Sequence, residues 1–544
     1  MRVLDSRRVT GPNLAAREPG AIVELALDGA DAELVIAAWR AAIARTLPWP
    51  GEPHVRRFAG GLALFVPGPL DALLPLTDLN EHAVACAEAA LAGAPPPALD
   101  PAVLAAIAAA HVPGLAELAA AARAHDVPLL VDEVVVTLGA GPGMQSWPRE
   151  TPLPAPDAIP WARLTRIPVA LVTGTNGKTT TARLVARIAR LAGRVPGLTS
   201  SDSITIDERI VERGDYSGPE GARMVLRNPT VELAVLETAR GGILRRGLAV
   251  ERCDAALITN VSADHLGDYG IDDVATMARV KAVVASIARR VVLNAEDAQL
   301  VALAPIIARA EDTMWFGGDG SRGAHAWFVR AGMIVARGVF GERELLAVAD
   351  VPIAFGGHAP YNVANALAAA ALADALDLPD RAIVEALRTF TSNATDNPGR
   401  GNIVDAGHGV SVLLDFGHNA AAVHGVIGLA RSLVTAPGAR LRVTIGMPGD
   451  RSDAELGEVA RGIAAGGPAE VVVRELGAGL LRGRLPGAAA AVLAGALAAA
   501  GVTVRHADNE LAALELLLAA SRPGDVVLVL VHIDPAVDAR LATG

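Results

Sequence analysis

Val172-Thr173-Gly174-Thr175-Asn176-Gly177-Lys178-Thr179-Thr180 is the stretch whose reading decides the fold. Pro168 to Thr173 reads as a strand and Thr179 to Ala192 as a helix, so the glycine-containing turn joins a strand end to a helix start. Such a junction aims backbone N–H groups and the positive end of a helix at one point, which suits a phosphate chain. Lys178 is placed to neutralise the β/γ oxygens and Thr179 to offer its hydroxyl to Mg²⁺. The long form of this loop would carry glycine at position 172, where Val stands, so the match is to a shorter variant.

Outward from the loop, Leu233 to Leu236 and Ala255 to Thr259 are further apolar strands, and their alternation with helices predicts a central parallel sheet with helices on both faces. Open sheets of this kind gather ligands at the carboxyl ends of their strands. Glu237 stands at one such end and Asn260-Val261-Ser262-Ala263-Asp264-His265 at another. A carboxylate beside a triphosphate is a natural Mg²⁺ ligand, because hard cations take oxygen. Read alone, Glu237 equally suits a cap or an ion pair, and His265 a loop histidine with satisfied nitrogens.

A chain of 544 residues exceeds what one core supports. Arg149 to Asp157, charged and punctuated by prolines, marks a boundary, and the polar turn-rich run Thr391 to Gly399 marks another. The expected domains are therefore 1–150, an α+β module; 160–395, the phosphate-loop domain; and 396–544, a Rossmann-like α/β domain. In the first, Ala21 to Leu27 reads as a strand, and Asp31 to Thr46 and Leu79 to Ala92 as helices. In the last, Ser411 to Leu414, Arg440 to Ile445, Glu470 to Val473 and Val526 to Val531 read as strands, and Gly487 to Val504 as an Ala-rich core helix.

The net charge of −11 supplies no broad basic field, which argues against a nucleic-acid partner. Cys86 and Cys253 form no CxxC pair, so neither a disulfide framework nor a zinc cluster is expected. The opening residues show no export signal and no stretch reads as a membrane span, which predicts a cytoplasmic protein without a membrane partner. Gly139-Ala140-Gly141-Pro142-Gly143 is read as a plain turn rather than a dinucleotide loop, since no helix follows it.

The phosphate loop, then Thr259-Asn260 to Asp264-His265, then Lys281, then Asn294-Ala295-Glu296-Asp297, resembles the central domain of the Mur ligase family in order and spacing. That resemblance implies ATP and two Mg²⁺ ions as cofactors. It assigns one ion to Thr179 and Glu237, the other to His265 and a carbamoylated Lys281, with Gly174, Thr175, Asn176, Gly177, Lys178, Thr180 and Asn260 about the nucleotide. Asn362 and Asn365 resemble the family's adenine-side helix. Arg400 and Asp415 resemble its nucleotide and ribose contacts, contributed as the third domain closes, and His418 lies nearer the phosphates; Ala420 departs from one common form of that loop.

The run Gly214 to Arg227 and the run Leu236-Glu237-Thr238-Ala239-Arg240-Gly241-Gly242-Ile243-Leu244-Arg245 are similar to the cyanophycin synthetase branch of the family. The opening residues Arg2 to Asn13, Asn80-Glu81-His82-Ala83 and Val127 to Gly141 are similar to that branch's N-terminal part, without its ATP-grasp module. The resemblance implies an isopeptide-forming ligase that joins an amino acid to a carboxylate of an amino-acid or peptide acceptor through an acyl phosphate, together with self-association. Its catalytic residues would be Lys178, His265, Lys281 and His418. Arg223, Arg240 and Arg245 are candidates to hold an acidic acceptor, with surface pairing as the alternative. The other function considered is a nucleotide-binding subunit that supports a separate synthetase of this type.

Overall fold

The structure, a computed structural model, describes residues 1–542. The chain divides into two compact units. One comprises Met1–Phe328 with Ala336–Glu342 and Ala368–Ile383; the other comprises Val329–Val335, Arg343–Leu367 and the chain from Val384 onward.

The first unit opens with a four-stranded antiparallel sheet, in which Arg2–Val9 pairs with Gly20–Ala26, that strand with Gly61–Pro67, and that in turn with His54–Phe58. Helix Ala32–Thr46 starts where Asp31 accepts hydrogen bonds from the Glu33 and Leu34 backbones, and it buries Val35, Ile36, Trp39, Ala42 and Ile43. Helix Leu73–Leu91 begins six residues before the expected Leu79. Pro75 lies in its first turn, where a missing N–H leaves nothing unpaired. Asn80 on this helix is fully buried; it accepts from Trp39 Nε1 at 2.8 Å and donates to the carbonyls of Ala21 and Leu64. Gly141–Gly143 forms one 3-10 turn, with Gly141 at φ +67°.

The central sheet runs in the order Arg209–Arg213, Ser203–Ile206, Pro196–Thr199, Leu233–Glu237, Val169–Thr173, Cys253–Ile258, Ala288–Asn294 and Thr313–Phe316. It is parallel through the middle, as expected, but Ser203–Ile206 pairs antiparallel with both neighbours. The turn at Asp207 and Glu208 is too short for a crossover and can only reverse the chain.

The second unit holds a sheet in the order Arg400–Asp405, Ser411–Asp415, Val526–Leu530, Leu441–Ile445, Glu470–Arg474, Val504–Ala507, antiparallel only at its first pair. Its four inner strands are buried on both faces. Val443, Ile445, Val471, Val473, Leu528 and Leu530 pack with helices Ala420–Leu433, Asp453–Ala465 and Ala488–Ala499, while Val412, Leu414, Val472, Val527 and Val529 pack with Glu510–Ala520 and Pro535–Ala542. The expected helix from Gly487 to Val504 ends at Ala499. Gly501, at φ +80°, terminates it, and Val504–Ala507 becomes the edge strand instead. Among the described residues, no single helix is long and apolar enough to cross a membrane.

Candidate active site

Gly174 leaves its strand at φ +148°, and a Cβ there would stand 1.8 Å from Thr259 Oγ1, so a side chain at 174 would drive the loop away from the neighbouring strand. Gly177, at φ +85°, precedes helix Lys178–Leu191. The loop is pinned from the next strand end. Thr175 N donates to Asn260 O at 2.9 Å, Asn176 N to Asn260 Oδ1 at 3.0 Å, and Asn260 Nδ2 returns a bond to Asn176 O at 3.0 Å. Both polar atoms of the Asn260 side chain are thus engaged by loop backbone. Asn294 and Asp297 support this pin in turn: Asn294 Nδ2 donates to Thr259 O, and Asp297 Oδ2 accepts from Val261 N. Lys178 folds back over the loop, its Nζ donating to the carbonyls of Gly174 and Thr175 at 3.1 and 2.9 Å.

Glu237 is buried at its strand end and reaches the loop helix. Thr179 Oγ1 donates to its Oε2 at 2.9 Å, Ser201 N donates to the same oxygen at 3.3 Å, and Ser201 Oγ lies 3.3 Å from Thr179 Oγ1. Ser201 was not legible as a site residue; its only sequence signal is its place in the turn after an apolar strand. These hard oxygens beside a phosphate loop fit one divalent cation.

His265 sits at φ +55° in the loop after the next strand, with Nε2 4.0 Å from Asp264 Oδ1. Lys281, at the end of helix Val274–Lys281, is 4 % exposed. Burial, reinforced by the charges of Lys178 and Arg240 and opposed by Asp264, brings its ammonium down from 10.5 to about 7. Lys281 and Lys178 therefore act on one another electrostatically although 103 positions separate them. Among the described residues, no group of three or more His, Cys, Asp and Glu side chains assembles for a metal. A second ion would accordingly need an oxygen donor that an unmodified lysine does not offer, together with oxygens from a phosphate.

In the second unit, Asn362 Nδ2 donates to Ile353 O and Asn365 Nδ2 to Asn362 Oδ1, so these two buried amides serve the local backbone and each other. Asp415, at the end of its strand, accepts from Gly417 N at 2.7 Å. Burial pushes its carboxyl up to about 6, against the pull of Arg400 and of the Gly417 and Gly401 amides. The Arg400 guanidinium lies 4.6 Å over the Phe416 ring, and His418 Nδ1 is 3.2 Å from Phe416 O.

A glycine-containing loop between strand and helix, pinned by Asn260 and with a strand-end carboxylate on its threonine, defines a phosphate-loop nucleotide site on a parallel α/β sheet. Residues 172–373 match the Mur ligase middle domain, and residues 399–530 match the Mur ligase glutamate ligase domain. With these two domains the chain belongs to the Mur ligase family. It is 39% identical to cyanophycin synthetase of Synechocystis sp. over 361 residues, which is 63% of this chain and 40% of that protein. It is 30% identical to UDP-N-acetylmuramate--L-alanine ligase of Burkholderia pseudomallei over 297 residues, or 53% of this chain and 57% of that enzyme. The chain thus spans well under half the length of the cyanophycin synthetases that it matches. A bifunctional folylpolyglutamate synthase/dihydrofolate synthase crystallised with Mn, AMPPNP and L-glutamate shares the fold at a TM-score of 0.52 and 21% identity, over 69% of this chain and 89% of that one.

Proposed function

We propose that this chain is an ATP-dependent ligase that forms an amide between an amino acid and a carboxylate of an amino-acid or peptide acceptor. The observation that carries the reading is the convergence of Lys178, Thr179 and Glu237 on the phosphate loop, with the buried Lys281 amine within electrostatic reach of Lys178. Likeness to cyanophycin synthetase supports the substrate classes, and the domains 1–150, 160–395 and 396–544 are the proposed division of labour.

An acceptor carboxylate oxygen attacks the γ-phosphorus, the bond to the β-bridging oxygen breaks, and ADP leaves. The amino group of the second substrate then attacks the acyl carbon, phosphate departs with the bonding pair, and the amine releases a proton. Two anions must meet in the first step, so charge compensation dominates the barrier. Lys178 supplies one fixed cation at the loop. Thr179 and Glu237 would hold one Mg²⁺, and His265 with Lys281 a second; when bound, these ions neutralise the triphosphate and polarise the γ-phosphoryl group. Lys281 suits this role once carbamoylated. With its ammonium held near 7, a large fraction is free amine at neutral pH, and the amine can add carbon dioxide, lose one proton and present a carboxylate-like oxygen pair. Arg400, Asp415 and His418 are proposed to serve the nucleotide, and Arg223, Arg240 and Arg245 the acceptor.

The test is phosphate release from ATP across a matrix of amino acids and acidic acceptors. Release that requires both partners supports the ligase. Normal ATP binding with no release for any pair would sink it.

A further inference from the structure

The N-terminal antiparallel sheet carries an ion triad, with Arg7 and Glu24 buried and Arg56 half-buried. Glu24 is 2% exposed, and its Oε1 accepts from Arg7 Nη2 at 2.9 Å and from Arg56 Nη2 at 3.4 Å. Arg56 also donates to the carbonyls of Tyr269 and Gly270 at 2.8 and 2.9 Å. The Arg7 guanidinium lies 4.7 Å over the Tyr269 ring, and its Nε donates to Leu244 O at 2.8 Å. Phe58 closes on the same turn, since a Cβ on Gly270 would stand 2.4 Å from its ring, and Ala59 N donates to Asp272 Oδ2. The chain after the first strand adds two backbone bonds, Thr10 N to Arg246 O at 2.7 Å and Leu248 N to Pro12 O at 2.8 Å.

The segments gripped are those that flank the site: helix Arg240–Arg246, just after Glu237, and the turn Asp268–Gly270, just after His265. They are also tied together, because Arg240 donates to His265 O at 3.2 Å and pairs with Asp268 at 3.0 Å. The gripped loop is strained. His265 and Tyr269 both stand at φ +55°. Such residues persist only where their surroundings over-determine them.

We infer that the N-terminal module positions the His265 loop through Arg7, Glu24 and Arg56, so that the geometry of the second cation position is set from outside the nucleotide domain. The inference rests on the reading of His265 as a cation ligand. Arg7, Glu24 and Arg56 are positioning residues: the two arginines touch the turn after His265, and Glu24 holds both guanidinium groups in place.

The experiment compares the full chain with its Arg56→Ala and His265→Ala variants. Amide exchange of the 262–272 segment is followed without any ligand, and Mn²⁺ is titrated with a non-hydrolysable ATP analogue. Arg56→Ala is expected to speed exchange in that segment at least tenfold. It should also weaken one of two Mn²⁺ ions at least tenfold, as His265→Ala does, with nucleotide affinity held within twofold. A folded Arg56→Ala protein with unchanged exchange and unchanged Mn²⁺ affinity overturns the inference. Should Arg56→Ala not fold, Arg56→Lys keeps the charge but replaces the guanidinium fork, which reaches Glu24, Tyr269 O and Gly270 O from two nitrogens, by one nitrogen on a different stem, and faster or unchanged exchange there decides the same way. If the wild-type chain holds a single Mn²⁺ and His265→Ala leaves it untouched, the reading of His265 fails, while the exchange result still judges the grip.

Discussion

At the scale of single residues, Thr179 and Glu237 bear the strongest expectation, because each supplies an oxygen to the same point. Glu237→Gln keeps the shape and removes the charge. It should lower kcat on the order of a hundredfold or more with a rightward shift in Mg²⁺ dependence, the scale at which one preorganised charge contributes to transfer. Steady-state phosphate release across a Mg²⁺ series checks it, and an unchanged Mg²⁺ curve would remove Glu237 from the cation. Asn80 belongs to a different category. Asn80→Leu strands Trp39 Nε1 without its acceptor inside the N-terminal core, so it should cost about 2–4 kcal/mol in the urea unfolding of the chain while leaving Mg²⁺ dependence unmoved. Lys178, Thr179, Glu237 and His265 were legible as candidates because each lies close after an apolar strand, and Lys281 through the order and spacing that resemble the family's central domain. Ser201, Arg7, Glu24 and Arg56 were not, since their roles come from pairings between segments far apart in the chain.

At the scale of elements, strands buried on both faces were easiest to read. Val169–Thr173, Cys253–Ile258 and Val526–Leu530 lie within two residues of the apolar runs that predicted them. The antiparallel excursion Ser203–Arg213 escaped because Arg209–Arg213 is exposed along its length and has no apolar face to announce it. One element junction titrates. At the end of Val526–Leu530, His532 contacts Glu510 at 2.5 Å and Asp538 at 3.1 Å, and Glu510 also pairs with the buried Arg474 at 2.9 Å. Burial alone would lower the His532 value, but Glu510 and Asp538 outweigh it and raise it above 6.5; Glu510, helped by His532 and Arg474 against burial, falls below 4.5. The histidine's contribution is therefore complete below pH 6.5 and fades as pH climbs through the raised value, while that of Glu510 is complete above 4.5 and fades as pH falls through the lowered one. His532→Asn should accordingly cost most, about 2 kcal/mol, between pH 4.5 and 6.5, and markedly less once the pH exceeds the raised value, read as the difference between wild-type and variant urea curves. A cost independent of pH would mean that His532 does not change its charge over that range.

At the scale of the whole molecule, the match of residues 172–373 and 399–530 to two Mur ligase domains explains why so much was legible: order and spacing along the chain carry that domain pair. The first 150 residues were read as an α+β module similar to the N-terminal part of the cyanophycin synthetase branch, but their ion triad was not, because it is assembled from positions 7, 24 and 56 and has no spacing signature. Nucleotide binding supplies a test that involves the entire folded chain. A ligand held by the phosphate loop binds the native state alone, so ADP at a hundred times its Kd should stabilise the protein by about 2.7 kcal/mol. Lys178→Met removes the cation that lies over the loop carbonyls while leaving Gly174 and the Asn260 pin in place. At the same ADP concentration its melting temperature should rise far less than that of the wild type, with the two proteins melting within a few degrees of each other when no nucleotide is present. An equal ADP shift in both would place the phosphates somewhere other than this loop, and with them the ligase reading would lose its centre.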